Sequence, residues 1–184
     1  MKNSAEQNLL KSGGEIAVDT SSIIYLQKLS LLDQYSHIKH IVVSEHIYNE
    51  LTSKTNVNKN NDNSTYKNMI ANRKLEVCRI DTSLHYTDSG IEKLSIPDAS
   101  VIKLYFQEHM QGILSDDKEV CSVCNKKAIP YINTPMAVLS IAINRRISRE
   151  LFHKKLEENY AIGRYSAYVI DYMKNKIEEY LDNV

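Results

Sequence analysis

Residues 16–26 read IAVDTSSIIYL: a short apolar run, an acid, three hydroxyl side chains, then apolar residues again. Ile16-Ala17-Val18 reads as a buried strand that ends at Asp19. Ile23, Ile24, Leu26 and Leu29 follow at helical spacing. The same alternation recurs downstream. Ile41-Val42-Val43 is a second β-branched run, followed by the helix-capping residue Ser44 and by Ile47, Tyr48 and Leu51 at helical spacing. Gly112-Ile113-Leu114 is another short strand, ending at Ser115-Asp116-Asp117 and followed by a helix to about Lys127. Pro97 suits the first turn of a helix whose apolar face is Val101, Ile102, Leu104, Tyr105 and Phe106. A short helix near 65–73, an edge strand over LEVCRI (75–80), a last strand at Ile129-Pro130-Tyr131-Ile132 and a helix from Thr134-Pro135 to Ile143 complete the pattern. Short buried strands alternating with helices predict a three-layer α/β/α fold around a mostly parallel sheet of four to five strands.

Outside this frame, residues 1–14 read as a polar lead-in closed by Gly13-Gly14. Residues 54–65 (KTNVNKNNDNST) are Asn-rich and read as an insertion, and 81–95 as a loop. From Ser148 to the end the pattern is helical, with a break near Ile162-Gly163. The final helix is expected to carry Tyr165, Tyr168, Val169, Tyr172, Met173, Ile177, Tyr180 and Leu181 on one apolar stripe.

The 184 residues suit one compact domain. With 23 basic and 23 acidic side chains the formal net charge is zero, which argues against a polyanion binder held by bulk charge. No apolar run approaches the ~20 residues of a membrane span, and the start, MKNSAEQNLLKSGG, lacks the apolar stretch of a signal peptide. Three cysteines, Cys78, Cys121 and Cys124, suit a reducing interior, so a cytoplasmic protein is expected.

The acids fall where chemistry is expected. Asp19, and Asp116 with Asp117, end two strands; Asp98 sits in a helix first turn; Glu45 and Glu50 lie on the helix after the second strand. In an open α/β sheet the carboxyl ends of the strands line the functional crevice. Each acid has a plain alternative role, since Asp at a helix start is a cap worth about 0.5–2 kcal/mol. A cluster of such acids resists joint ionisation, and a hard cation such as Mg²⁺ or Mn²⁺ relieves the repulsion.

Four segments together resemble the PIN domain, a metal-dependent nuclease fold found in many prokaryotic toxin–antitoxin toxins. They are IAVDTSSIIYL (16–26), IVVSEHIYNEL (41–51), SIPDASVIKLYFQ (95–107) and GILSDDKEV (112–120). The resemblance implies a PIN-like domain over 15–147, with 148–184 a helical extension packed on it. It implies an acid quartet of Asp19, Glu50, Asp98 and Asp117, with Asp116 as a further metal-ligand candidate and Ser115 and Thr20 as supporting hydroxyls. Periodicity alone does not choose between Glu45 and Glu50; the family places its acid just before the Leu, hence Glu50. The implied activity is an RNA-cleaving hydrolase using Mg²⁺ or Mn²⁺, with an antitoxin or a second copy as partner. Lys126, Lys127, Arg145, Arg146 and Arg149 are candidates for contacting phosphates. The alternative is a catalytically silent PIN-like module that acts through its C-terminal helices.

Other chemistries find little support. Cys121-x-x-Cys124 lacks two further zinc ligands at the usual spacing, and the six histidines form no H-x₃-H pair. There is no G-x-x-x-x-G-K-[ST], G-x-G-x-x-G or G-x-S-x-G motif. Asp19 is followed by Thr20-Ser21, not by the Asp-x-Asp of haloacid-dehalogenase-like enzymes.

Overall fold

The computed structural model describes residues 7–53, 63–81, 83, 90–163 and 165–181. Five strands form one all-parallel sheet: β1 (Glu15–Val18), β2 (His40–Ser44), β3 (Leu75–Cys78), β4 (Gly112–Leu114) and β5 (Tyr131–Ile132). The order across the sheet is β3-β2-β1-β4-β5. The three central strands are the continuous apolar runs of the sequence, and they are buried because helices cover both faces.

Between the strands run α1 (Thr20–Lys28), α2 (Leu32–Ser36), α3 (Glu45–Thr52), α4 (Asn63–Ala71), α5 (Ile96–Gln107) and α6 (Lys118–Lys127). After β5 come α7 (Thr134–Ile143), α8 (Arg149–Gly163) and α9 (Ala167–Leu181). The chain leaves β1 towards β2 and β3, then crosses back to β4 and β5, so right-handed crossovers place helices on opposite faces. Helices α5 and α6 pack together on one face, while α1, α2 and α7 pack together on the other. The result is the three-layer α/β/α fold with a parallel sheet that the sequence predicts. Among the described residues no helix is long and apolar enough to cross a membrane. The Asn-rich insertion lies mostly outside the described residues, as do 82 and 84–89 of the 81–95 loop.

Two differences from the sequence reading have physical causes. The stretch before β1 is more than a polar lead-in. Residues 7–10 are helical, Leu9 and Leu10 join the core, and buried Lys39 donates to Gly13 O (2.7 Å), Asn8 O (3.3 Å) and Gln111 Oε1 (2.8 Å). Two leucines in a polar stretch are too few to show a period. On α9 the buried stripe is Ile170, Met173 and Ile177, and Tyr168 and Tyr172 point outward, 78% and 43% exposed. Tyrosine fits either side of such a boundary because its ring is apolar and its tip polar, so pattern counting widened the stripe.

Gly112 opens β4 where a side chain has no room. A Cβ there would stand 2.7 Å from Pro130 O and 2.8 Å from a Leu9 methyl carbon. Pro130 O accepts the Ile113 N–H (3.0 Å), so it cannot retreat without loosening β5. Gly112→Ala is therefore expected to cost about 1–3 kcal/mol. Urea unfolding would register this as a lower midpoint at an unchanged slope.

Candidate active site

The reversal of strand order falls between β1 and β4, and there the two connections leave in opposite directions and open a crevice at the carboxyl ends. Val18 pairs with Leu114, and Asp19 N donates to Leu114 O at 3.1 Å. The next residues, Asp19 on one strand and Ser115 and Asp116 on the other, are thus forced side by side.

Asp19 is 2% exposed and has two roles. As the N-cap of α1, its Oδ1 accepts from Ser22 N (2.7 Å) and Ser21 Oγ (3.1 Å). Its Oδ2 accepts from Ser115 Oγ and Asp116 N (3.3 Å). Burial raises its pKa from 3.8 to about 6; the Ser115 and Ser22 donors oppose this, and the Asp116 charge adds to it.

Asp116 reaches across the crevice. Its Oδ1 accepts from Thr134 N (2.9 Å) and the Tyr165 hydroxyl. Its Oδ2 accepts from Ser22 Oγ (3.0 Å) and Thr134 Oγ1. Burial, then the neighbouring Asp116 charge, raises the Tyr165 pKa, so this hydroxyl stays a proton donor. Asp117 turns to its own helix: it caps α6, accepting from Glu119 N (2.8 Å) and Val120 N (3.0 Å), and its N–H donates to Ser115 Oγ (3.1 Å).

The other acids lie around the same end of the sheet. Glu50, exposed in the last turn of α3, accepts from Thr20 Oγ1 at 2.5 Å, which ties it to the residue after Asp19. Glu45 pairs instead with Arg79 (3.5 Å). Asp98 exchanges hydrogen bonds with its cap residue Ser95: Ser95 Oγ donates to Asp98 Oδ2 (2.6 Å), and Asp98 N donates back (3.3 Å). A buried Ser44–Ser100 contact (2.6 Å) holds the start of α5 against the carboxyl end of β2.

The basic candidates lie elsewhere. Lys126 and Lys127 occupy the last turn of α6, and Arg145 and Arg146 follow the end of α7. Both helices start at the acid end and have ten residues, so their far ends lie about 15 Å away. Asn144, beside Arg145, donates to Leu10 O, and its Oδ1 accepts from Ser12 N, which places it at the amino end of the sheet. Arg149 pairs with Glu178 at 2.6 Å. These cations do not border the acid pair; exposed Lys118 follows Asp117 at the start of α6.

The sequence reading missed Ser21, Ser22, Thr134 and Tyr165. Asp19 before a helix is a capping signal that reaches the Ser22 N–H, but nothing local marks the Ser22 hydroxyl for Asp116; Thr134 is legible only as a helix opening. Tyr165 has no local signal, since 49 residues separate it from Asp116. The cysteines read as packing: Cys124 is buried and Cys121 half-buried, and burial pushes both thiols up to about 12.

The donor set is oxygen-only, the chemistry that hard cations prefer. Yet among the described residues no three His, Cys, Asp or Glu side chains converge closely enough to hold a metal. The oxygens of Asp19 and Asp116 are already engaged by donors from the chain. The acids have the right chemistry for Mg²⁺ or Mn²⁺, and their arrangement here does not seat one.

The raised Asp19 pKa has a consequence for stability. Between about pH 4 and 6 the folded chain binds more protons than the unfolded one. The contribution of this group is thus full below 3.8 and is lost as pH rises through about 6. Urea unfolding in EDTA is expected to show stability falling over this window by at most about 3 kcal/mol. Asp19→Asn should flatten that slope; an unchanged slope would place the titration on another group.

Comparison with known proteins agrees with this geometry. Residues 15–178 match the model of a family described as a PIN domain (DUF3368), and the match includes α8 and most of α9. No curated protein and no solved structure matches the chain. The parallel five-stranded sheet, the acids at its carboxyl end and a family match over most of the length lead to one conclusion: this chain belongs to the PIN-domain family.

Proposed function

We propose that this protein is a metal-dependent ribonuclease that hydrolyses phosphodiester bonds at the crevice between β1 and β4. The observation that carries the reading is the side-by-side placement of Asp19 and Asp116 at the strand-order reversal. Asp117 and Ser115 shape the turn that presents Asp116, and Thr20 steers Glu50 towards the same end of the sheet. Asp98 completes the acid set by family resemblance. Two carboxylates alone repel a phosphodiester, so the reading requires Mg²⁺ or Mn²⁺ in use, bound after local rearrangement. RNA as substrate, a cytoplasmic toxin–antitoxin role with a protein antitoxin, and a homodimer belong to this proposal by resemblance to the family. Lys118 is better sited than the five cations at the far pole to meet a strand at the acids.

A second reading has its own support. The acid pair does not seat a cation as arranged, and Tyr160, Tyr168 and Tyr172 are exposed on α8 and α9. These features suit a silent PIN-like module that acts through its C-terminal helices.

Cleavage of end-labelled single-stranded RNA separates the two. The nuclease reading expects cutting in Mn²⁺, none in EDTA, and at least a hundredfold loss in an Asp19→Asn/Asp116→Asn double variant that still melts cooperatively. Equal, negligible cutting by both proteins in Mn²⁺ would favour the silent module. Asp117→Asn distinguishes roles further: lower thermal stability with retained cutting would mark it as a cap.

A further inference from the structure

We propose that a cavity at the pole opposite the acids is a binding site for an adenine base, read by the side-chain amides of Gln27, Gln34 and Asn68. The cavity has a volume of about 360 Å³ and lies between the last turn of α1, helices α2 and α4, and the residue before β3. Small-ligand sites begin at roughly 300 Å³, so one base with its sugar fits. Helix α1 leaves the carboxyl end of β1 at Asp19, and its rise carries Gln27 about 12 Å from the acids. The nuclease reading makes no use of this place, and the inference stands independently of it.

Folding leaves several polar groups of the lining unused. Gln34 lines the cavity, and its Oε1 is buried with no hydrogen-bond partner among the described residues. A buried acceptor in that state costs about 1–3 kcal/mol. The terminal torsion of a glutamine is soft, so a ligand N–H seated in the cavity gives this oxygen a partner. The Tyr66 hydroxyl donates to Gln27 Oε1 (2.5 Å), which fixes that amide and leaves its Nε2 as a donor without a partner among the described residues. Asn72 Nδ2 donates to the Asn68 backbone carbonyl (2.8 Å), while the Asn68 side chain itself has no hydrogen-bond partner among the described residues.

The chemistry of this lining selects the ligand. An Asn or Gln amide offers a donor and an acceptor side by side, the pattern that matches N7 and N6–H₂ of adenine. Guanine is matched instead by a cation at O6 and N7. The lysine of this cavity is already engaged: Lys74 Nζ donates to Asp33 Oδ1, with His37 Nε2 3.5 Å from the same nitrogen. Lys74 holds the Asp33 carboxyl below its usual pKa range, so the pair stays ionised and closed on itself. Leu32 and Met69 add apolar surface for the faces of a planar ring. A neutral heterocycle with a hydrogen-bonding edge is therefore the class that fits, free as a nucleoside or unpaired in a strand.

The test is titration calorimetry in EDTA, with adenosine, inosine and cytidine as probes, on the full chain and on Asn68→Ala and Gln34→Met. Inosine carries an oxygen where adenosine carries the N6 amino group. The site predicts that adenosine binds at least tenfold more tightly than inosine or cytidine, and that each variant loses at least tenfold of that affinity. Gln34→Met is also expected to melt no lower than the wild-type chain, because an apolar isostere removes the orphaned oxygen. Loss of binding without loss of stability separates recognition from packing. No adenosine binding by the folded wild-type chain, equal affinity for the three nucleosides, or binding untouched by both variants each overturns the proposal and leaves the nuclease reading standing. A short uridine RNA with one central adenosine then names the source: tighter binding than adenosine points to a base in a strand, equal or weaker binding to a free nucleoside or nucleotide, and either supports the site.

Discussion

The last rung between β1 and β4, from Asp19 N to Leu114 O, governs the acid end of this molecule. It closes the ladder at the point where the two strands send their helices to opposite faces. Whatever follows each strand must then share one small volume. In this chain those residues are Asp19 on one side and Ser115 and Asp116 on the other. Burial in such a place raises the pKa of Asp19, and hydroxyl and amide donors of the chain oppose the rise.

Capping and site roles are not alternatives at Asp19. The N–H of Ser22 that it accepts is an orphan donor of the α1 terminus, and the same carboxylate meets Ser115 and Asp116 across the crevice. Asp117 differs because it lies one residue past the crevice, where its carboxylate meets the first turn of α6. Adjacent acids in one dipeptide thus face different surroundings: one joins a polar network across the molecule, the other a local helix end.

The C-terminal helices add more than bulk. They extend the face formed by α1, α2 and α7, and they bring Tyr165 back to the acids from the far end of the chain. Such a contact ties the C-terminal helices, which also bury Phe152, Leu156, Ile170, Met173 and Ile177, to the polar network of the crevice.

The strands, most helix boundaries and the fold class are legible in the chain alone. Those follow from local rules: buried parallel strands are short continuous apolar runs, helices repeat every 3.6 residues, and Asp19, Ser44, Ser95 and Asp117 cap where short polar side chains precede a helix. It also marked the acids, because residues at strand ends are identifiable once the strands are. Tertiary structure decided what each acid faces. The preference for Asp116 over Asp117 as partner of Asp19, the pairing of Glu45 with Arg79 while Glu50 meets Thr20, the far position of the basic clusters and the arrival of Tyr165 all depend on separations in space. Helix periodicity says which residues share a face. Which neighbour that face meets is set by the sheet order and by the lengths of the helices that cross it.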